Sequence, residues 1–309
     1  MKIAVIGGGT SPEAEVSRVS ATQVVDGLTP RHEATYIEFD SRLHTELNRL
    51  APEVVFPVLH GVPGEDGSIQ GFLEVLGLPF VGSGMSASAL AIDKYQAKCV
   101  WREHNIPVLP MKLLDRASWT TMDCEEVERT LGNAVAIKPR AQGSALGVQL
   151  LPEGGDLQKA LVEAFVSHDQ LIIEPFKKGR EITVAVLESD GVASALPIIE
   201  IQVLADGEWY DFTNRYKAGA SQHILDPDMP SATATALKRY AVAAHCLLGC
   251  RDLSRSDFIL DERDQPWLLE INTIPGMTPT SLFPDAARGH GLEFTDLLEL
   301  LVNNALGRR

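Results

Sequence analysis

The chain has 309 residues, 45% hydrophobic and 22% charged, an ordinary balance for a soluble globular protein and too much chain for one simple core. Lys and Arg number 27 against 42 Asp and Glu, a formal charge of −15, which argues against sequence-independent nucleic-acid binding because that needs a basic footprint. A small anionic ligand stays possible, since local lysines and helix N-termini hold such groups against a global field.

The opening MKIAVIGGG has too short an apolar run for a signal peptide. No stretch approaches the roughly 18 to 20 apolar residues of a membrane span. Cys99, Cys124, Cys246 and Cys250 form no C-x-x-C pair. Cys246 and Cys250 read as small buried thiols on a helix, and the expected compartment is a reducing cytoplasm.

In chain order, KIAVI at residues 2–6 reads as a buried parallel strand, followed by GGGTSPEAEVS and a helix running to about Leu28. ATYIEFD, PEVVFPVL and LPFVGS read as three more strands with helical segments between them. Strand alternating with helix predicts a doubly wound α/β domain over residues 1–92. SASALAIDKYQAKCVWREHN predicts one helix closed by Pro107, and AVAIKP, VQLL and QLIIEPF predict strands around the helix LQKALVEAFVSH, giving a small α+β domain over 93–178. A third domain, 179–309, opens with a hairpin of EITVAVLES and ASALPIIEIQ turning near Asp190-Gly191. A long polar loop at 205–228 and the helix SATATALKRYAVAAHCLLG come next. SRSDFILDE and QPWLLEINT then form a second hairpin turning at 261–265. No internal repeat or low-complexity segment stands out.

The second hairpin carries the strongest chemical signal. Side chains two apart on a strand share a face, so Glu270 and Asn272 point one way and Ile271 the other. Alone, such a pair suits either a hard cation or a water-facing strand end. Arg255 and Asp257 on the preceding strand tilt the balance, because facing strands in register would bring three oxygen donors and one guanidinium onto one face. Clustered carboxylates with no Cys or His suit Mg²⁺ rather than zinc.

Magnesium implies phosphates, yet there is no G-x-x-x-x-G-K-[ST]. Lys138 ends a strand just before a loop containing Gly143, Ser144 and Gly147, where backbone N–H groups would approach phosphate oxygens; an ordinary flexible hairpin loop has the same composition. GGGTSP after the first strand resembles a dinucleotide fingerprint only in part, because Pro12 stands where the third glycine belongs. Glu13 lies in the first turn of the following helix, a position acids favour for dipole reasons alone. His60, in HGVPGEDGS, sits at the C-terminal end of a strand, where open α/β sheets bind ligands; the segment also has ordinary turn residues, and Glu65 and Asp66 would serve as helix caps.

Taken in order, GGTSPEAEVS, HGVPGEDG, GSGMSASALAIDK, IKPRAQGSALGV, EPFKKGREITVAVL, YDFTNRY, RSDF and LLEINTIPGMTPTSLFP resemble the D-alanine–D-alanine ligases of the ATP-grasp superfamily over about 280 residues. The resemblance implies an N-terminal doubly wound α/β domain followed by a two-domain ATP-grasp fold. It implies ATP as co-substrate and two Mg²⁺ (or Mn²⁺) ions held by Asp257, Glu270 and Asn272. It sets Lys94, Lys138 and Arg215 on phosphates, Glu174, Phe176 and Lys177 at the adenine, and Glu181 on the ribose. Glu13, Ser144 and Tyr216 would bind the first D-alanine, with His60 beside it. Arg255 and the Gly276 N–H would stabilise the tetrahedral oxyanion, and Ser281 and Leu282 would hold the second substrate's carboxylate. A cytoplasmic homodimer with no nucleic-acid or membrane partner is the family expectation.

Three departures bear on substrate choice. GSALG has Ala145 where the family usually writes Ser, and YDFTNRY has Phe212 for Tyr and Arg215 for Lys. Arginine keeps the charge in a different geometry. These changes leave open a ligase of the same mechanism joining another amino acid or amine. A non-catalytic nucleotide-binding module would have no need of Arg255, Asp257, Glu270 and Asn272 together.

Overall fold

The computed structural model describes residues 1–204, 220–278 and 281–308, and these form three sheets. The first is parallel, in the order β2 (Glu33–Glu38), β1 (Lys2–Gly7), β3 (Val54–Pro57). Period-two alternation splits β1 between two cores. Ile3 and Val5 face α1 (Ala14–Leu28), and Ala4 and Ile6 face α2 (Leu43–Leu50) and α3 (Ser68–Val75). The predicted fourth strand, LPFVGS, shrinks to a single bridge between Val55 and Phe80. The Pro at 79 and the glycines at 82 and 84 limit the ladder there.

The predicted long helix is two: α4 (Met85–Ile92) and α5 (Lys94–Glu103). Asp93 between them is extended (φ −77°, ψ 91°) and accepts a hydrogen bond from the Gln96 N–H, capping α5. Its carboxylate also takes Arg140 at 2.6 Å, and the Lys94 N–H donates to the Arg140 carbonyl at 3.0 Å. The break therefore fixes Lys94 against the loop that follows β5.

The second sheet is antiparallel in the order β4 (Lys112–Asp115), β7 (Gln170–Pro175), β5 (Val135–Pro139), β6 (Gln149–Leu151). It packs on α6 (Thr121–Leu131) and α7 (Leu157–Ala164) through Val127, Val135, Ile137, Leu161, Leu171 and Ile173. The third sheet is antiparallel in the order β10 (Ser221–Leu225), β9 (Val192–Val203), β8 (Gly179–Ser189), β11 (Leu253–Asp261), β12 (Pro266–Asn272). Both predicted hairpins are present. The predicted polar loop 205–228 ends earlier than expected, because Ser221–Leu225 adds an edge strand to β9; residues 205–219 lie outside the described residues.

Helix α8 (Ser231–Leu247) covers one face of this sheet through Leu237, Ala241 and Ala244. His245 on that helix turns inward, to Ser254 Oγ at 2.8 Å and Glu188 at 3.3 Å. Cys250 is buried as expected, but Cys246 is exposed. Helix α8 ends at Leu247, so Cys250 lies beyond it and the expected shared helical face does not form.

On the opposite face, α9 (Leu282–Gly289) and α10 (Phe294–Gly307) fill the space between the third sheet and the first. One core thus joins Val5 and Phe56 of the parallel sheet to Leu298 and Leu301 of α10 and to Leu187 and Ile199 of the third sheet. The fit is close: a Cβ on Gly27 of α1 would lie 2.6 Å from Leu298 Cδ1. Leu298 is fully buried, so Leu298→Ala should lower the free energy of unfolding by about 2–5 kcal/mol, read from guanidinium denaturation followed by circular dichroism.

Candidate active site

The β11–β12 register pairs Arg255 with Asn272 and Asp257 with Glu270, so all four side chains share one face, as the sequence spacing requires. A bulge follows at Asp257/Phe258, where the ladder resumes with Phe258 opposite Leu268. β8 adds Thr183 opposite Asp257, and its hydroxyl donates to Asp257 Oδ1 at 2.6 Å. Arg255 grips the same carboxylate through Nε and a terminal nitrogen at 2.8 and 2.7 Å. Glu270 meets Lys94 at 3.1 Å, and Asn272 Oδ1 accepts the Ile274 N–H at 2.8 Å. Each oxygen donor is thus already oriented, with a cation beside each carboxylate. The donor set is all oxygen, which fits a hard divalent cation.

Two cavities meet along this face. The larger, about 270 Å³, lies between the second and third sheets and is lined by Lys94, Lys138, Lys177, Lys178, Glu181 and Glu270 among its charged groups. Apolar wall comes from Leu109, Ala136, Val148, Leu150, Phe176, Ile259 and Leu269, and Ala145 also lies on it. The smaller is bounded by Glu65, Ile92, Gly143, Ser144, Asn272 and Thr273. Lys94, Gln142 and Glu270 border both. Four lysines around one cavity, in a chain of net charge −15, make a local positive field.

Glu174, expected to meet adenine, does not line the cavity. Its carboxylate is fully buried beneath it, with one oxygen on Lys138 at 2.7 Å and the other on Lys98. Burial alone would raise this carboxyl, but Lys138 and Lys98 outweigh burial and hold it down at about 2. Lys177 stacks its ammonium 5.5 Å from the centre of the Trp267 ring.

At the other end Glu13, just before α1, is buried and takes the Ser144 hydroxyl, which closes the Gly143–Gly147 loop onto the start of α1. Ser144 and Ala145 both have positive φ (49° and 56°), a strained pair that this contact and the Lys94 Nζ bond to the Gln142 carbonyl at 2.5 Å hold in place. His60 is buried; burial pushes its imidazole below the usual range, and its Nε2 has no hydrogen-bond partner among the described residues. Gly276 passes close to Ser281, where a Cβ would lie 2.8 Å from the hydroxyl. Ser281 precedes α9 and accepts the Thr278 N–H at 3.0 Å. The Leu282 side chain is buried in the core, so what it offers a ligand is its backbone N–H at the helix start. Tyr216, Arg215 and Phe212 lie outside the described residues.

Two further groups bear on the site. Glu65 is no helix cap: it is buried, accepts the Gly61 N–H at 2.8 Å and faces the smaller cavity. Burial first, then the nearby Glu13 charge, push its carboxyl up to about 8. Lys98 lies one helical turn from Lys94, and that i, i+4 spacing was the available signal. At the end of β2, where a dinucleotide-binding fold keeps an acid for a ribose, Glu38 is taken up by the Gly9 N–H at 3.1 Å and by Arg18 at 2.8 Å.

Two facing antiparallel sheets that enclose a lysine-rich cavity, with a carboxylate seam at its edge, define an ATP-grasp ligase fold. Residues 100–303 match the family model described as D-ala D-ala ligase C-terminus, and residues 39–83 match the D-ala D-ala ligase N-terminus. The D-alanine–D-alanine ligase of Moorella thermoacetica is 40% identical over 99% of both chains, and that of Bordetella avium is 40% identical over 98% of this chain and 94% of its own. The crystal structure of the Bacillus anthracis D-alanine–D-alanine ligase complexed with ATP superposes with a TM-score of 0.86 at 27% identity, covering 100% of this chain and 98% of that one. The chain belongs to the D-alanine–D-alanine ligase family, and it is an enzyme of that type.

The raised Glu65 pKa carries a stability consequence. A group whose folded pKa exceeds its unfolded value contributes stability below the unfolded pKa and loses it as pH rises through the folded one. Relative to Glu65→Gln, the ligand-free wild type should therefore weaken steadily between about pH 4.5 and pH 8. Denaturant midpoints of both proteins at pH 5 and pH 8 check this, with the gap moving in favour of Gln at the higher pH.

Proposed function

We propose that the protein joins two D-alanine molecules at the expense of ATP, giving D-alanyl-D-alanine, ADP and phosphate for peptidoglycan precursor synthesis. The observation that carries the reading is the polar seam of Arg255, Asp257, Glu270 and Asn272, in which Glu270 borders both cavities and Asn272 the smaller one. The larger cavity takes ATP: its apolar wall, with Phe176, suits the adenine, Lys177 lies beside it, and Glu181 meets the ribose. Lys94 and Lys138 receive the phosphates. Asp257, Glu270 and Asn272 are the residues that would hold two Mg²⁺ ions, whose chemistry there is to neutralise and align the transferring phosphoryl group.

The smaller cavity takes the first D-alanine. Glu13 holds its ammonium, Ser144 closes the loop over it, and the buried Nε2 of His60 lies nearby. Its carboxylate attacks the γ-phosphorus, ADP leaves, and D-alanyl phosphate forms. The amine of the second D-alanine then attacks the acyl carbon and phosphate departs. Arg255 and the Gly276 N–H meet the developing oxyanion, an effect typically worth about 3–4 kcal/mol per donor. Ser281 and the Leu282 N–H, at the positive end of α9, bind the second carboxylate. Arg215 and Tyr216 complete the phosphate and first-substrate contacts in this reading.

The division into 1–92, 93–178 and 179–309 belongs to the same proposal, as do a cytoplasmic location and a homodimer with no nucleic-acid or membrane partner. No described helix is long and apolar enough to cross a membrane. The relatives' names do not favour a ligase for another amino acid or amine.

The test is ADP release with Mg²⁺-ATP and D-alanine, L-alanine, D-serine, D-lactate or no addition. Release with D-alanine alone, with the dipeptide identified by mass, is the expected result. Glu270→Gln should abolish turnover, whereas Glu13→Ala should mainly raise the KM of the first amino acid. Near-normal turnover in Glu270→Gln would overturn the metal assignment.

A further inference from the structure

Lys98 is one of the largest fully buried side chains, and no apolar role explains an ammonium there. It reaches Glu174 Oε1, while Glu174 Oε2 holds Lys138 at 2.7 Å. Glu174 is itself fully buried, but Lys138 opens onto the nucleotide cavity. The three groups come from different elements: Lys98 from α5, Lys138 from the end of β5 and Glu174 from β7. Two cations thus share one carboxylate, which leaves one positive charge uncompensated, and only Lys138 can present it to a ligand.

We propose that Lys98 is a positioning residue for the nucleotide: by occupying one oxygen of Glu174 it confines Lys138 to the other and keeps the Lys138 ammonium directed into the cavity. Without Lys98, a dry carboxylate oxygen would lack its donor, and Lys138, the nearest remaining cation, would turn down to satisfy both oxygens. The cavity would then lose its Lys138 phosphate contact while its other groups stayed in place. This rests on the larger cavity being the nucleotide site.

The groups facing Lys98 are Glu174, Lys138 and, at longer range, Lys94. Burial lowers its ammonium to about 8 against the pull of Glu174. Phosphates arriving at Lys138 favour the charged form, so nucleotide binding should take up a proton near pH 8 and weaken above it.

The experiment measures ADP binding by calorimetry and the KM values for ATP and D-alanine in the complete enzyme, for wild type, Lys98→Met, Lys98→Arg, Glu174→Gln and the double variant Lys98→Met/Glu174→Gln. The expected result is at least a tenfold loss of ADP affinity and a matching rise in the KM for ATP in Lys98→Met. The KM for D-alanine should stay within twofold, and Lys98→Arg should recover most of the loss. The double variant should be no worse than the poorer single one, since both act through the same carboxylate. ADP affinity within twofold of wild type in a Lys98→Met protein with an unchanged circular dichroism spectrum would overturn the proposal. So would equal losses for ADP and D-alanine, which mark a general support of the fold. Wild-type protein that binds no ADP would remove the nucleotide reading and this proposal with it.

Discussion

Directly opposed residues of an antiparallel pair share a face, and that constraint on β11 and β12 governs the whole site. With Arg255 opposite Asn272 and Asp257 opposite Glu270, a one-residue slip would send every donor into the apolar core beneath α8. The register is pinned from both sides. Phe258, Leu260 and Leu268 are locked in that core, and β8 pairs with β11 over nine positions. Apolar packing on one face of the sheet therefore sets the aim of the polar groups on the other.

The second organising feature is the way opposite charges wait in pairs. Lys94 holds Glu270, Arg255 holds Asp257, and Lys98 with Lys138 holds Glu174. Charges this poorly hydrated would be costly alone. Paired, they are held in place before a ligand arrives, so substrate binding exchanges one partner for another. Glu65 is the exception: burial and the nearby Glu13 charge raise its carboxyl, and among the described residues it accepts the Gly61 N–H but forms no ion pair in the smaller cavity's wall.

Much of this was legible from residue spacing. Period-two alternation located the strands that carry the site, and the R-x-D and E-x-N pairs announced their shared face. What escaped did so for physical reasons. The break at Asp93 lies within a run of good helix formers, although Asp followed by Gln three residues later is a capping signal. The strand Ser221–Leu225 is polar and half exposed, so it lacked an apolar pattern to betray it. The burial of Glu65, Lys98 and Glu174 is a tertiary fact: nothing in a local window shows that a charged side chain will meet its partner from another element.

Helix α10 supplies Leu297, Leu298 and Leu301 to the core of a sheet whose first strand begins at Lys2. About 290 residues separate the two, so a ribosome working at ~5–20 residues per second exposes the unfinished sheet for roughly 15–60 s. Once Phe56 has been made, it joins Val5 and Val24 in an apolar face that waits for the α10 leucines. A message cut short before α10 would leave Val5, Val24 and Phe56 without the leucines that complete their core.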